Sequence, residues 1–368
     1  MNIKKPFTNW ASTTVFILYL LFLFTSCKKE STTKSQATIK NFATLGLYEL
    51  SSSNYRAIYI PITTVGNNST DYFLLFDTGS SGMTMDANGI LPASMITSSG
   101  IQVTGDFTTI NGITITSMQS SMSYGGVNDE IIIYGNLAYA DLGIGDQSGL
   151  VKATHVPFFL YYKAVDVTTG VTLPVHSFDV FGVGPGVSYA NNQIGSPLNY
   201  FNLPQGLTSG FKLSLLDNNS FISTGAYVSN LLTIGLTSSD LTSSGFTMHP
   251  LTFNSTGGYS PDINANISYS GQKISADILF DSGNSGTSVI ENNAAANGLN
   301  QLPISSAVAI TTNEGFSYQY TTTSTFNFTY IENPSYSLDS RSIFSIDFFI
   351  SNEFLIDYKN HQIGLKNN

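Results

Sequence analysis

One eight-residue phrase occurs twice in this chain. Leu75-Phe76-Asp77-Thr78-Gly79-Ser80-Ser81-Gly82 returns as Leu279-Phe280-Asp281-Ser282-Gly283-Asn284-Ser285-Gly286, 204 residues later. Six of the eight positions are identical, and the other two exchange small polar residues. Each copy begins as an apolar strand, Phe73-Leu74-Leu75-Phe76 and Ile278-Leu279-Phe280, and runs directly into an Asp-hydroxyl-Gly turn. A duplication of this kind predicts two lobes of similar plan, with one carboxylate from each meeting at the seam.

At these residues the chain resembles the pepsin-like aspartic peptidases, whose signature is apolar-apolar-Asp-Thr/Ser-Gly in each half. The resemblance implies an all-β fold with a few short helices: a bilobal double β-barrel with pseudo-twofold symmetry and a cleft between lobes. It implies Asp77 and Asp281 as the catalytic pair. Thr78 and Ser282 would each brace the opposing loop with a hydroxyl, and Gly79 and Gly283 would allow the tight turn. Ser80 would hydrogen-bond Asp77. Its counterpart Asn284 departs from the usual Thr, though an Asn amide can donate to a carboxylate. Two carboxylates at close range cannot both ionise easily, so one keeps a proton while the other activates water.

Other landmarks follow in family order over residues 42–368. Tyr124-Gly125-Gly126, between strand-like runs, resembles the substrate-binding flap; its plainer reading is a half-buried Tyr beside a hairpin turn. The family's flap Tyr commonly bonds a Trp, and the one Trp here is Trp10. Val180-Phe181-Gly182 resembles the segment that threads beside the first Asp turn, where Gly admits another backbone. The second such segment is expected at Phe344-Ser345-Ile346, without its glycine. Ser196-Pro197 is predicted to open a short helix, Glu291 to Asn297 to form a helical turn, and Asp347 to Phe354 the terminal helix. The Asp217-Asn218-Asn219-Ser220 turn divides a first lobe, 42–217, from a second, 218–368.

The amino end reads as an address. Lys4 and Lys5 precede the apolar run Val15 to Phe24, which is too short for a bilayer span of about 20 residues and fits a signal peptide over 1–26. It ends in Phe24-Thr25-Ser26-Cys27, which resembles a bacterial lipoprotein box with Cys27 as the acylated residue. An ordinary signal peptide with an incidental cysteine is the other reading. Residues 27–41 would be a polar tether, too short for the longer basic prosegment of pepsin-like zymogens, so no zymogen step is expected. The implied location is the bacterial cell envelope, anchored by lipid to the outer membrane and either periplasmic or surface-exposed.

Composition narrows the alternatives. Charged residues are 10%, Phe and Tyr number 25 and 20, and Gly 32, a balance that favours strands and turns. A net charge of −10 argues against a nucleic-acid partner. The single cysteine excludes an intramolecular disulfide. No two of His155, His176, His249 and His361 lie closer than 21 positions, so no metal site and no cofactor is expected. A serine nucleophile at Ser282 would need a histidine upstream in a first barrel, and none precedes His155. Two readings stay open. One is a monomeric endopeptidase acting on peptide or protein substrates; the other is an inactive relative that binds peptides or inhibitors.

Overall fold

The computed structural model describes residues 40–52, 55–126, 130–146, 149–187 and 194–368. The signal peptide, Trp10, Cys27 and all but the last two residues of the tether lie outside them. Residues 39–368 form one compact unit.

The chain is nearly all strand. The first four strands carry the first Asp turn: β1 (Ala43–Ser52), β2 (Tyr55–Val65), β3 (Asn68–Asp77) and β4 (Ser81–Asp86). Strand β3 alternates between facing water and facing inward until Leu74, and both Phe76 and Asp77 are buried. The strand Gln272–Phe280 behaves alike, alternating and then burying Ile278, Leu279 and Phe280 before Asp281. A period-two pattern that turns wholly apolar marks a strand that leaves the surface and enters the core at its end. Asp77 is thereby buried, and Asp281 is half-buried at the end of its strand.

The sheet of the first half closes on itself. β2 pairs with β3 on one side, and with the long strand Ile131–Asp146 through Ile62↔Ile144 on the other. Between β3 and β4 sits Val180–Val183, parallel to the first and antiparallel to the second. The second half holds an eight-stranded sheet in which Arg341–Phe344 runs parallel beside Gln272–Phe280. Strands from both sides of residue 217 share the remaining layer, in the order 247–250, 362–367, 352–357, 208–213, 226–236 and β1. One apolar core runs through both halves, from Phe76 and Phe181 to Phe280, Phe344 and Phe348. The Phe280 and Phe348 rings stack at 3.7 Å between centroids.

Three local expectations are corrected. The segment beginning at Glu291 is not helical: Thr287–Glu291 is a strand, and Asn292 then takes the Ala294 N–H on its side chain and the Ala295 N–H on its carbonyl. Asx turns of this kind compete with helix for the same donors. The terminal helix covers only Phe348–Ser351, because Asn352 is already extended at φ −137° and starts the next strand. The segment beside the second Asp turn sits one residue earlier than expected. Phe344 faces Phe280 as Phe181 faces Phe76, so the family glycine's place falls on Ser345. Pro197–Asn199 does form a short 3₁₀ turn, with the Leu198 N–H capped by the Ser196 hydroxyl.

Candidate active site

The two Asp turns interlock through four hydrogen bonds. The Thr78 hydroxyl donates to Phe280 O (2.8 Å) and accepts from the Ser282 N–H (2.9 Å). The Ser282 hydroxyl donates to Phe76 O (2.7 Å) and accepts from the Thr78 N–H (3.1 Å). Both hydroxyls are buried, at 1% and 0% exposure, so every bond is shielded from water. Each half thus satisfies the other's orphan backbone groups, and neither turn can adopt this shape alone.

That grip brings the carboxylates together. A methyl group placed on Gly79 would lie 2.5 Å from Asp281 Cγ, and one on Gly283 would lie 2.7 Å from Asp77 Cγ. Glycine is required at both positions because the opposite acid occupies the space of a side chain. Asp77 receives three donors: the Gly79 N–H (2.7 Å) and Ser80 N–H (3.2 Å) on Oδ1, and the Ser80 hydroxyl (2.5 Å) on Oδ2. Asp281 receives the Gly283 N–H on Oδ1 (2.7 Å), while the Asn284 side chain makes no hydrogen bond to it. Burial, the neighbouring Asp77 charge and a hydrogen bond with Asp77 hold Asp281 well above the usual carboxylate range. The arrangement sets a carboxyl with three donors against one that keeps its proton above the usual range.

The fold that carries this site is found among solved proteins. At TM-score 0.56 the chain resembles the aspartic proteinase from Irpex lacteus, with 16% identity over 89% of this chain and 98% of that one. The fold is that of the pepsin-like aspartic proteinases. Basic 7S globulin from soybean is similar at the same TM-score, with 12% identity over 88% of this chain and 95% of the other. No protein-family model matches the sequence, and no curated protein matches it either.

The segment beside the first turn fits the family plan. A methyl group on Gly182 would meet Gly82 O at 2.5 Å and Ser80 Oγ at 2.8 Å. Beside the second turn Ser345 fits because its neighbour stands off: Thr287–Glu291 pairs with Arg341–Phe344 only at Val289↔Ile343. The Ser345 N–H donates to Ser288 Oγ (3.1 Å) instead of to a backbone.

Tyr124 ends the strand Ile113–Tyr124 opposite Ile131, and Gly125 at φ 84° starts the hairpin turn. Gly126 follows at the exposed tip, and the next three residues lie outside the described ones. The Tyr124 hydroxyl is buried without a hydrogen-bond partner, and burial followed by the Asp77 charge raises its pKa. Its ring packs on Phe178 at 4.8 Å between centroids. The Phe178 backbone is anchored in turn, its N–H donating to the Tyr161 hydroxyl (3.3 Å), which donates to Asp179 (2.9 Å). Sequence reading missed Phe178, since a lone Phe in a loop carries no spacing signal. Among the described residues, no three His, Cys, Asp or Glu side chains converge as metal ligands would.

Proposed function

We propose that this chain is an aspartic endopeptidase. A water held between Asp77 and Asp281 attacks the scissile carbonyl carbon and gives its proton to Asp77. Asp281 donates its proton to the carbonyl oxygen. The tetrahedral diol then collapses: the C–N bond breaks, the amine leaves with the proton from Asp77, and a diol hydroxyl returns its proton to Asp281. The observation that carries this reading is the contact of two carboxyls with unequal donor sets, which separates acid from base. Tyr124 closes over the bound peptide, and Gly125 and Gly126 let the tip move.

Asn284 favours a second reading, a peptide-binding protein without turnover, because it leaves Asp281 without the side-chain donor that Asp77 has. Cleavage of a quenched hydrophobic peptide by the full-length protein, scanned from about pH 3 to 7, decides between them. Hydrolysis blocked by pepstatin supports the peptidase, and binding of pepstatin without hydrolysis supports the receptor.

We further propose that the protein is a monomeric lipoprotein of the bacterial outer membrane, acylated at Cys27 and held off the bilayer by the tether to residue 41. The apolar run ending at Phe24-Thr25-Ser26-Cys27 supports this. Cys27→Ala should move the protein from the detergent phase to the aqueous phase on partitioning. A variant that still partitions like the parent refutes the anchor.

A further inference from the structure

The sequence holds two arginines, Arg56 and Arg341. Arg56 lies on β2 in the first half, 8% exposed, in a strand otherwise lined by Ala57, Ile58 and Ile60. A buried cation is costly unless it is paired and hydrogen-bonded, so its partners indicate what it holds. Its side-chain partners and the acceptor of its N–H all belong to the second half. Its N–H donates to Ser285 O at 2.8 Å. Its Nη1 pairs with Asp347 Oδ1 at 3.0 Å, and its Nη2 donates to Asn218 at 2.9 Å. The guanidinium lies 3.8 Å from the Phe326 ring centroid and 5.2 Å from that of Phe221.

Ser285 and Asp347 stand on opposite shoulders of the Asp281 turn. Ser285 follows Asn284 in the turn itself. Asp347 ends the segment that cradles the turn from behind, where Phe344 O accepts the Asp281 N–H (2.8 Å) and the Ile346 N–H donates to Asn284 O (3.0 Å). Asp347 is fixed a second time by the Asn327 N–H, at 2.6 Å on its other oxygen. One residue from the first half therefore holds both, its backbone N–H on the turn and its guanidinium on the cradle, at the place where the family glycine is replaced by Ser345 and the neighbouring strand stands off.

We propose that Arg56 is a positioning residue for Asp281, fixing its turn from the opposite half of the chain in place of the close backbone packing that holds Asp77. Only the kinetic consequence rests on the peptidase reading. Asp281 needs an accurate place more than Asp77 does, since it has fewer donors of its own. A planar fork, stacked on Phe326 and paired with a carboxylate, sets orientation as well as charge, which a lysine cannot do.

The test uses the full-length chain labelled with carboxyl-¹³C aspartate, the Asp281 signal being assigned by its loss in Asp281→Asn. Arg56→Lys keeps the cation and loses the fork. Arg56→Met combined with Asp347→Asn removes both buried charges, and it carries the measurement should the lysine variant not fold. In either folded variant the Asp281 titration midpoint should fall toward the ordinary carboxylate range, as the loosened turn admits water. Turnover should drop about 10-fold with KM within about twofold, because misplacement of a reacting group acts on kcat. An unchanged Asp281 midpoint with only a lowered Tm overturns the proposal and leaves Arg56 a stability residue. A shifted midpoint in a protein whose parent cleaves nothing supports the positioning role and removes the peptidase reading.

Discussion

The two Asp turns share one backbone hook and differ in what stands around it. The first is packed by backbone: Gly182 pairs with Gly82, where a methyl group on it would meet Gly82 O at 2.5 Å, and the Gly184 N–H donates to Ser80 O at 2.7 Å. From the second half Tyr358 reaches across to donate to Val183 O (2.7 Å). The second turn is looser at the same place, with Ser345 for Gly182 and Asn284 for Ser80, and Arg56 reaches back from the first half. Each turn is therefore completed by a side chain from the other half, an uncharged hydroxyl in one direction and a guanidinium in the other. The duplicated phrase builds the symmetric grip, and the unmatched surroundings give the two carboxyls unequal donors.

The largest effect should come from the carboxyls themselves. Asp77→Asn, Asp281→Asn and the double variant should each lose on the order of 10³-fold or more in kcat, and by the same amount, because groups acting on one water are strongly non-additive. Assay of all three under one set of conditions is sufficient. One dead single variant beside one near-parental one would show that the turns are not partners, and the comparison would lose its basis.

Next come the two packing sites. Gly182→Ala places a methyl against fixed backbone and should cost about 1–3 kcal/mol. Ser345→Ala should cost under about 1 kcal/mol, since its hydroxyl makes only a 3.5 Å contact with Ser288. Urea unfolding of both variants measures the difference. Equal losses would mean that the second turn is packed as tightly as the first.

These cases also show how far the sequence reached. Asp77, Asp281, Thr78 and Ser282 were legible because identical phrases repeat identical local chemistry, and a hydroxyl beside each Asp has one obvious use. Gly182 was legible because a buried glycine between apolar residues marks close approach. Ser345 was placed one residue late, since no glycine marked the register and pairing with Phe280 sets it only in space. Arg56 and Tyr358 were missed: their partners lie 291 and 175 positions away, and no local pattern encodes such contacts. An arginine amid an apolar strand was the one available sign.

The donor imbalance can be reversed chemically. Asn284→Ser gives Asp281 the hydroxyl that Ser80 gives Asp77. An added donor stabilises the carboxylate, so Asp281 should ionise at lower pH. The alkaline limb of the kcat/KM profile should move down by roughly one unit. A profile that stays in place would mean that the backbone, rather than residue 284, sets the asymmetry.

The smallest expected effect is on stability, and its sign is the informative part. The folded state holds Asp281 above its unfolded value of 3.8, so the folded form binds its proton more tightly than the unfolded form does. The stability this lends is full below pH 3.8 and is lost as pH rises through the raised folded value. Asp281→Asn keeps the shape, cannot ionise, and still offers an oxygen to the Gly283 N–H. It should melt above the parent at pH 7 by a few degrees, about 2–5 °C for a gain of one to two kcal/mol in a chain of this size. Near pH 3 Asp281 is protonated in the parent as well, and the two melting curves should coincide. A gain of equal size at both pH values would assign the effect to packing and not to the crowded charges. No gain at pH 7 would mean that Asp281 ionises without cost, and the acid role given to it would pass to Asp77.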